Sequence, residues 1–520
     1  MQRNCAILLV FFAITIIIFH RFTKPLIVTA DCSELLRCAQ LIYAGQLPYV
    51  DFYELNPPLI MYLYLAPAAC AEWWHLHPLL VFTIFIWLFV VTSIGLCLVV
   101  LDASTYSKDR QLMPILLVAT AAAQLSLSSQ DDFGQRDHIF MLCYLPYIFL
   151  RWIRLRGCTI HTAIASIVGL LAGIGCCIKP QFLIAPILYE LYLIKHRRSF
   201  SMLRDPEVFT AVAAGFVYAL QFLLWPTAMK QGYFGFVLPL VFSGYSAFNY
   251  PLVPIVTLTK FPMRDVAFWM VSIVVALFFR KRLSIIAPLL IWTLSGYLML
   301  VVQHKGFGYH VVPMKSGCVI LFILDCSLLF SSFVALTKSR KFSSWINTSV
   351  LIGCLTLATA ATVYTVTKFF VTGLTLDNCS EPFRQPIASL VLQESGPSDK
   401  VFFFDTGGGS EFPLVSQLNR QVGGRYLHVF SFAMAKYLET QALSEFEKQR
   451  AESIELRVLS EVRYDISHRR PKLIFIPDYS WPLPKDFSVF RYLEKSNFIG
   501  DSMSEYSSLG MCAGYHVFKL

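Results

Sequence analysis

The sequence predicts a helical polytopic membrane protein of about eleven transmembrane helices, with a small extracytoplasmic α/β domain at its C-terminal end. Three observations predict it. Of 520 residues, 56% are hydrophobic and 15% are charged, with a mean hydropathy of +0.58. A soluble chain carries about 25% charged residues. Apolar runs of about 18 residues or more recur from residue 5 to residue 371, and each is long enough to cross a hydrocarbon core of roughly 30 Å. Beyond residue 372 the composition shifts to short apolar runs separated by charged stretches.

The spans fall at 5–21, 79–101, 112–129, 138–152, 160–178, 181–195, 207–227, 265–280, 284–303, 311–334 and 344–371. The alternation is not the dyad pattern of an outer-membrane barrel. The first run, MQRNCAILLVFFAITIIIFHRF, has a basic start and an apolar core. It reads as an uncleaved span, because that core is longer than a signal peptide's and VTA at 28–30 is a poor cleavage site. The segment 57–74, PPLIMYLYLAPAACAEWW, is apolar but short and contains Pro67.

Charge decides how 57–74 lies. If it stays on one side and the N-terminus is inside, the inside loops hold Lys108 and Arg110, Arg151 to Arg156, Lys195 to Arg204, Arg280 to Arg282, and Lys338 to Lys341. Every inside loop is then basic, as the positive-inside rule requires. If it crosses, all of these loops move outside. The segment is therefore read as an interfacial helix with Trp73 and Trp74 at headgroup depth. The net charge of +10 follows from these loops and does not point to nucleic acid.

This parity places 22–78, 130–137, 179–180, 228–264, 304–310 and everything from 372 outside. The chain divides into a transmembrane domain, 1–371, and an extracytoplasmic α/β domain, 372–520. In the latter, VFFFDT (401–406) and KLIFIPD (472–478) read as buried strands, 433–464 as one charged helix, and GMCAGYHVFKL as a final strand. DTGGGSEF (405–412) shares one triplet with aspartic proteases, and its glycines suggest a phosphate loop. A strand-to-turn transition accounts for it better.

Most of the 14 cysteines lie in apolar runs, including Cys97, Cys143, Cys176, Cys177 and Cys318. They read as small core residues. Cys379 and Cys512 lie in the tail, where an oxidising compartment permits a disulfide.

The outer loops hold the unusual polar residues. TADCSELLRCAQLIYAGQLPYVDFYELNPPLI supplies two acidic pairs, Asp31 with Glu34 and Asp51 with Glu54. The ordinary reading of the first pair is a helix N-cap with a first-turn acid. Opposite them are Arg136 in DDFGQRDHIF, Lys179 in GCCIKPQF, and Lys305, Tyr309 and His310 in QHKGFGYHVVP. A Lys at a span end ordinarily snorkels to the interface. Outer junctions are poor in cations, however, so Arg136, Lys179 and Lys305 are exceptions that want an anionic partner. A lipid phosphate at headgroup depth is the partner inferred, since guanidinium and ammonium groups bind phosphate oxygens strongly. Two acidic pairs also offer oxygens to a divalent metal, although no spacing demands one.

These residues resemble the membrane glycosyltransferases of the GT-C type, namely the protein O-mannosyltransferases and the lipid A aminoarabinose transferases. The shared features are an acid early in the first outer loop (Asp31 in TADCSE), a juxtamembrane helix entered through NPPLIMYLYLAP, a Lys junction in CCIKPQF, and KGFGYHVVP before a late span. FGQRDH also looks like a motif of bacterial members. The resemblance covers about 1–335. It departs from the mannosyltransferases at Cys32, where they place a second adjacent acid. It implies an inverting glycosyltransferase in a bacterial plasma membrane. The donor would be a polyprenyl-phosphate-linked sugar, and the acceptor an extracytoplasmic glycolipid, polysaccharide or protein. Asp31 would be the general base, with Glu34, Asp51 and Asp137 the other catalytic carboxylates. Glu54, Arg136, His138, Lys179, Lys305, Tyr309 and His310 would bind substrate.

Two alternatives belong to other classes. A flippase for a lipid-linked sugar should carry mid-span charges and repeated halves, whereas this chain's polar groups gather at one face. A non-catalytic scaffold would use its tail alone.

Overall fold

The computed structural model describes residues 2–22, 26–103, 112–126, 132–336, 360, 363–364, 367, 385–397, 399–407 and 411–520. The expected span at 344–371 and Cys379 lie essentially outside them. Two compact units form. The first gathers residues 1–24, 84–221 and 250–374; the second gathers 25–83, 222–249 and 375–520.

The first unit is a helical bundle. Its central helix, Arg136–Leu155, is buried along its whole face from Arg136 to Ile153. Such a helix is apolar all round except where polar groups find partners. Helices Thr162–Cys177 and Val312–Leu336 pack against it, and Ile286–Gln303 packs on the latter. Helices Pro78–Asp102, Pro206–Leu224, Ile286–Gln303 and the stretch Gly308–Leu329 are long and apolar enough to cross a membrane. The expected span 181–195 is instead a 3-10 turn, Pro180–Leu183, followed by a 14-residue helix, Ile184–Arg197. At about 1.5 Å per residue that helix covers roughly 21 Å, short of a full crossing.

Small residues and polar side chains join these helices, as expected where lipid supplies no hydrophobic drive between them. Gly169 and Gly173, four apart, let helix Pro206–Leu224 approach: a Cβ on Gly169 would lie 2.0 Å from the Glu207 carbonyl oxygen. The Ser93 hydroxyl donates to the Leu142 carbonyl at 2.7 Å, and Gln124 donates to Ser93 at 3.1 Å. Arg151 is buried, and all five of its N–H donors are used. They reach both oxygens of Glu190 at 2.9 and 2.6 Å, Asp205 at 2.6 Å, Glu207 at 3.1 Å and the Met202 carbonyl at 3.1 Å. Asp325 is buried in its helix, and neither carboxylate oxygen has a hydrogen-bond partner. It is an exception to the otherwise charge-poor spans.

The second unit is built on a five-stranded sheet in the order β2-β1-β3-β5-β4. The strands are β1 (Lys400–Phe403), β2 (Gln421–Val422), β3 (Leu473–Pro477), β4 (Ser507–Cys512) and β5 (Tyr515–Lys519). β1 pairs in parallel with β2 and β3, while β5 runs antiparallel to β3 and β4. The two expected tail strands are β1 and β3. The final strand expected at 510–520 is a hairpin instead, turned at Ala513 and Gly514, both at positive φ. The single helix expected at 433–464 is two, Phe430–Gln441 and Glu445–Arg469. Ser444 and Glu447 form a capping box that starts the second. The segment 57–74 forms two short helices, Leu59–Leu63 and Leu65–Trp73. Both are too short to cross a bilayer.

Early residues fold with the tail inside this unit. The Tyr53 N–H donates to the Arg425 carbonyl at 2.8 Å, and Tyr53 bridges Tyr426 in parallel. Arg457 donates to the Tyr53 hydroxyl at 2.8 Å. Arg425 grips Asp465 through Nε and NH2.

Candidate functional site

The sequence-predicted residues divide between the units. Asp137, Arg136, His138, Lys179, Lys305, Tyr309 and His310 belong to the first; Asp31, Glu34, Asp51 and Glu54 belong to the second.

In the first unit the chain enters helix Arg136–Leu155 through a tight turn. Gly134 holds φ +76°, open to glycine at little cost. Its N–H donates to His138 Nδ1 at 3.1 Å. That bond leaves the neutral ring's proton on Nε2 and makes His138 a brace for the turn. Asp137 is buried and accepts from Lys179 Nζ at 2.7 Å. Lys179 also donates to Gln303 Oε1 at 2.9 Å, and Gln303 Nε2 lies 3.5 Å from the other Asp137 oxygen. Asp137 thus belongs to the Lys179 ammonium.

The same end of the bundle gathers the other cations. Helix Ile286–Gln303 stops at His304, at φ +54°, and Gly306, at φ +64°, turns the chain into the 3-10 segment Gly308–Val311. Arg136 NH2 reaches the Tyr309 hydroxyl at 3.4 Å. Lys179 Nζ lies 5.3 Å from the Tyr309 ring centroid. Arg136, Lys179 and Lys305 all place their charges close enough to act on His310. Burial lowers the Lys305 pKa to about 8. Lys315, unmarked in the sequence reading, pairs with Asp132 at 3.5 Å.

In the second unit, helix Ala30–Tyr43 is capped by Thr29, whose hydroxyl accepts from the Cys32 N–H at 3.4 Å. Asp31 sits in the first turn, so it is not the cap. Asp51 Oδ2 accepts from the Leu47 N–H at 2.8 Å and closes a turn. Glu34 is buried, with Oε1 2.7 Å from His428 Nδ1. Glu54 is buried and accepts from the Asn56 N–H at 3.0 Å and from its side-chain amide. Burial, with Glu34 beside it, raises the Glu54 pKa to about 8. For His428 burial opposes charge, but Glu34, with Glu54 and Asp405, outweighs it and the pKa rises to about 9.

Two residues of the DTGGGSEF stretch, Glu411 and Asp405, extend this cluster. Glu411 is buried with neither oxygen hydrogen-bonded, and burial followed by Asp405 raises its pKa well above the carboxyl range. Asp405 accepts from Ser480 at 2.6 Å and Tyr515 at 3.1 Å. The Gly407 N–H donates to Asp405 Oδ1 at 3.1 Å, so DTG is the turn after β1. Among the described residues no three His, Cys, Asp or Glu side chains come together as a metal site.

No family model matches the chain, and no curated protein does. Solved structures do. The crystal structure of ArnT from Cupriavidus metallidurans in the apo state aligns with a TM-score of 0.52 at 13% identity, covering 98% of this chain and 97% of that one. The same protein bound to undecaprenyl phosphate aligns with a TM-score of 0.55 at 12% identity, with the same coverage. ArnT is a lipid A aminoarabinose transferase of the GT-C type. The chain therefore shares the fold of ArnT over nearly its whole length, tail included.

Proposed function

We propose that the protein is an inverting glycosyltransferase that takes a sugar from a polyprenyl-phosphate-linked donor. The acceptor is an extracytoplasmic glycolipid, polysaccharide or protein. The observation that carries this reading is the gathering of Arg136, Lys179 and Lys305 around Tyr309 and His310 at one end of the bundle. Cations held together in advance favour an anion such as a phosphate, whose oxygens guanidinium and ammonium groups bind strongly. The undecaprenyl phosphate bound to the similarly folded ArnT supports a lipid phosphate in that role. The topology read from the sequence puts this end, and the domain 372–520, outside the plasma membrane. The segments 25–83 and 222–249 would join that domain.

In such a transfer the acceptor oxygen attacks the anomeric carbon as the bond from that carbon to the phosphate oxygen breaks. The electron pair stays on the lipid phosphate, whose negative charge grows by one. Cations fixed in advance near those oxygens stabilise that charge without reorganising. The acceptor proton goes to a general base. We assign the base to Asp31, the acid early in the first outer loop to which the resemblance to GT-C enzymes points. Glu54 is left as a hydrogen-bonding partner for sugar hydroxyls.

Purified protein assayed with a panel of polyprenyl-phosphate sugars tests the reading directly. Asp31→Asn should cut turnover by roughly 10²-fold or more, the scale of a lost general base, with donor binding kept. Arg136→Lys should fold normally yet bind donor more weakly, because an ammonium cannot replace a planar, forked guanidinium. Equal donor affinities for wild type and Arg136→Lys would remove Arg136 from the donor site.

A further inference from the structure

His428 lies where an open parallel sheet binds its ligands. β1, β2 and β3 are parallel, in the order β2-β1-β3, so the chain leaves β1 for a neighbour on one side and later returns to a neighbour on the other. Ligands of such sheets bind outside the carboxyl ends of the strands, at the point where the strand order reverses. Asp405 follows β1 and His428 follows β2 at that edge. The Val429 N–H donates to the Asp405 carbonyl at 2.6 Å and ties the His428 segment to the turn after β1. Glu34 brings Oε1 to 2.7 Å from His428 Nδ1, and the imidazole stays 13% exposed. Among the described residues no hydrogen bond engages Nε2, on the far side of the ring. Asp31 stands three residues before Glu34 on helix Ala30–Tyr43, so the two side chains share a face about 5–6 Å apart. Glu411 is fully buried with neither oxygen hydrogen-bonded, and Asp405, Glu34 and Arg37 are close enough for their charges to act on it. A buried polar group without a partner calls for one from outside. Asp31, Glu34 and Asp405 outnumber the His428 imidazolium and the Arg37 guanidinium, which disfavours an anion. What fits is neutral and rich in hydroxyls.

We propose that Glu34 and His428 position a saccharide acceptor: Glu34 holds the imidazole, Nε2–H donates to one sugar hydroxyl, and the adjacent hydroxyl, which attacks, gives its proton to Asp31. The attacking oxygen bonds to the anomeric carbon as that carbon's bond to the phosphate oxygen breaks, and the phosphate keeps the electron pair. The proposal rests on the glycosyltransferase reading above and narrows its acceptor. A pair of neighbouring hydroxyls on a sugar ring offers both atoms the site addresses. An isolated serine or threonine hydroxyl offers one, and a phosphate meets the surplus of carboxylates.

The test gives the full-length protein in detergent a panel of polyprenyl-phosphate donors with radiolabelled sugars. The acceptor is the envelope fraction of the cells that make the protein. Periodate splits adjacent hydroxyls and spares isolated ones, so envelope pretreated with periodate should no longer take up label. His428→Phe keeps a ring and removes Nε2–H. It should raise the half-saturating amount of envelope roughly tenfold, the scale of one hydrogen bond to a charged group, and move kcat by less than about threefold. Affinity for undecaprenyl phosphate should stay at the wild-type value. His428→Gln, whose amide offers an N–H near the place of Nε2, should recover most of the loss. If His428→Phe fails to fold, Glu34→Gln carries the same comparison, because it removes the charge that holds the imidazole. Three results would overturn the acceptor site alone: label uptake that survives periodate, wild-type half-saturation in the variant, or equal losses in His428→Phe and His428→Gln. A wild type that transfers sugar from none of the donors would overturn the glycosyltransferase reading beneath it.

Discussion

Lys305 keeps its ammonium in a buried loop, and that burial brings its pKa down to about 8. Below that pH it is charged; above it the charge is lost. Donor affinity should therefore fall as pH rises through 8, and Lys305→Arg should flatten the profile, because a guanidinium stays protonated. A profile unchanged by that substitution would take Lys305 out of phosphate binding. The cations were legible in the sequence because they break a rule: outer junctions should lack Lys and Arg, and three did not. Gln303, His428 and Glu411 were not legible. A neutral amide at a span end looks like any cap, and a tail histidine looks like surface until the fold brings Glu34 to 2.7 Å from it. Within FGQRDH the Asp serves Lys179 and the His serves the turn.

At the scale of elements, the helix Arg136–Leu155 carries the candidate site at one end and the Arg151 clamp at the other. Arg151 ties that helix to Ile184–Arg197 through Glu190 and to Pro206–Leu224 through Glu207. Arg151→Lys keeps the charge but offers three donors where five are used. Breaking a buried network of this kind typically costs about 3–5 kcal/mol. The variant should unfold at a clearly lower temperature in detergent, and an unchanged midpoint would mean that the clamp is not what holds these helices. The same Arg was read from the sequence only as part of a basic inside loop; which carboxylates it meets depends on packing that periodicity does not carry. The break at Ala442–Ser444 was legible, since Ser444-x-x-Glu447 is a capping-box pattern, but charge and helical spacing ran through it. The hairpin at the C-terminal end was missed because its six-residue first strand is exposed on nearly every position and so shows no alternation.

At the scale of the molecule, the long apolar helices of the first unit were legible in run length, whereas the composition of the second unit was not. Its three chain segments are each separated by more than a hundred residues, and no local signal joins them. The Glu34–Glu54–His428 cluster is one of the joins. Glu54 is held protonated in the fold, with its pKa raised to about 8; the stability it adds is full below its unfolded value and is lost as pH rises through 8. His428, raised to about 9, adds stability that is full below its unfolded value and is lost as pH rises through 9. Both act in the same direction, so thermal stability should decline between pH 7 and pH 9.5. In His428→Gln, which removes one of the two titrating groups, the decline should be shallower. A flat wild-type profile over that range would show that the cluster does not link protonation to folding.

The position of β5 has a consequence for how this protein is made. It is the last strand in the chain, yet it lies between β3 and β4 rather than at an edge of the sheet. A ribosome releases residues 25–83 long before residue 515 exists. Through most of synthesis Tyr53 has no Arg425 to pair with and Glu34 has no His428. The second unit cannot close until residues 515–519 arrive, so a chain that stops before them leaves its sheet unfinished. Such a product would be a substrate for membrane-surface proteases, while the full-length chain would resist them.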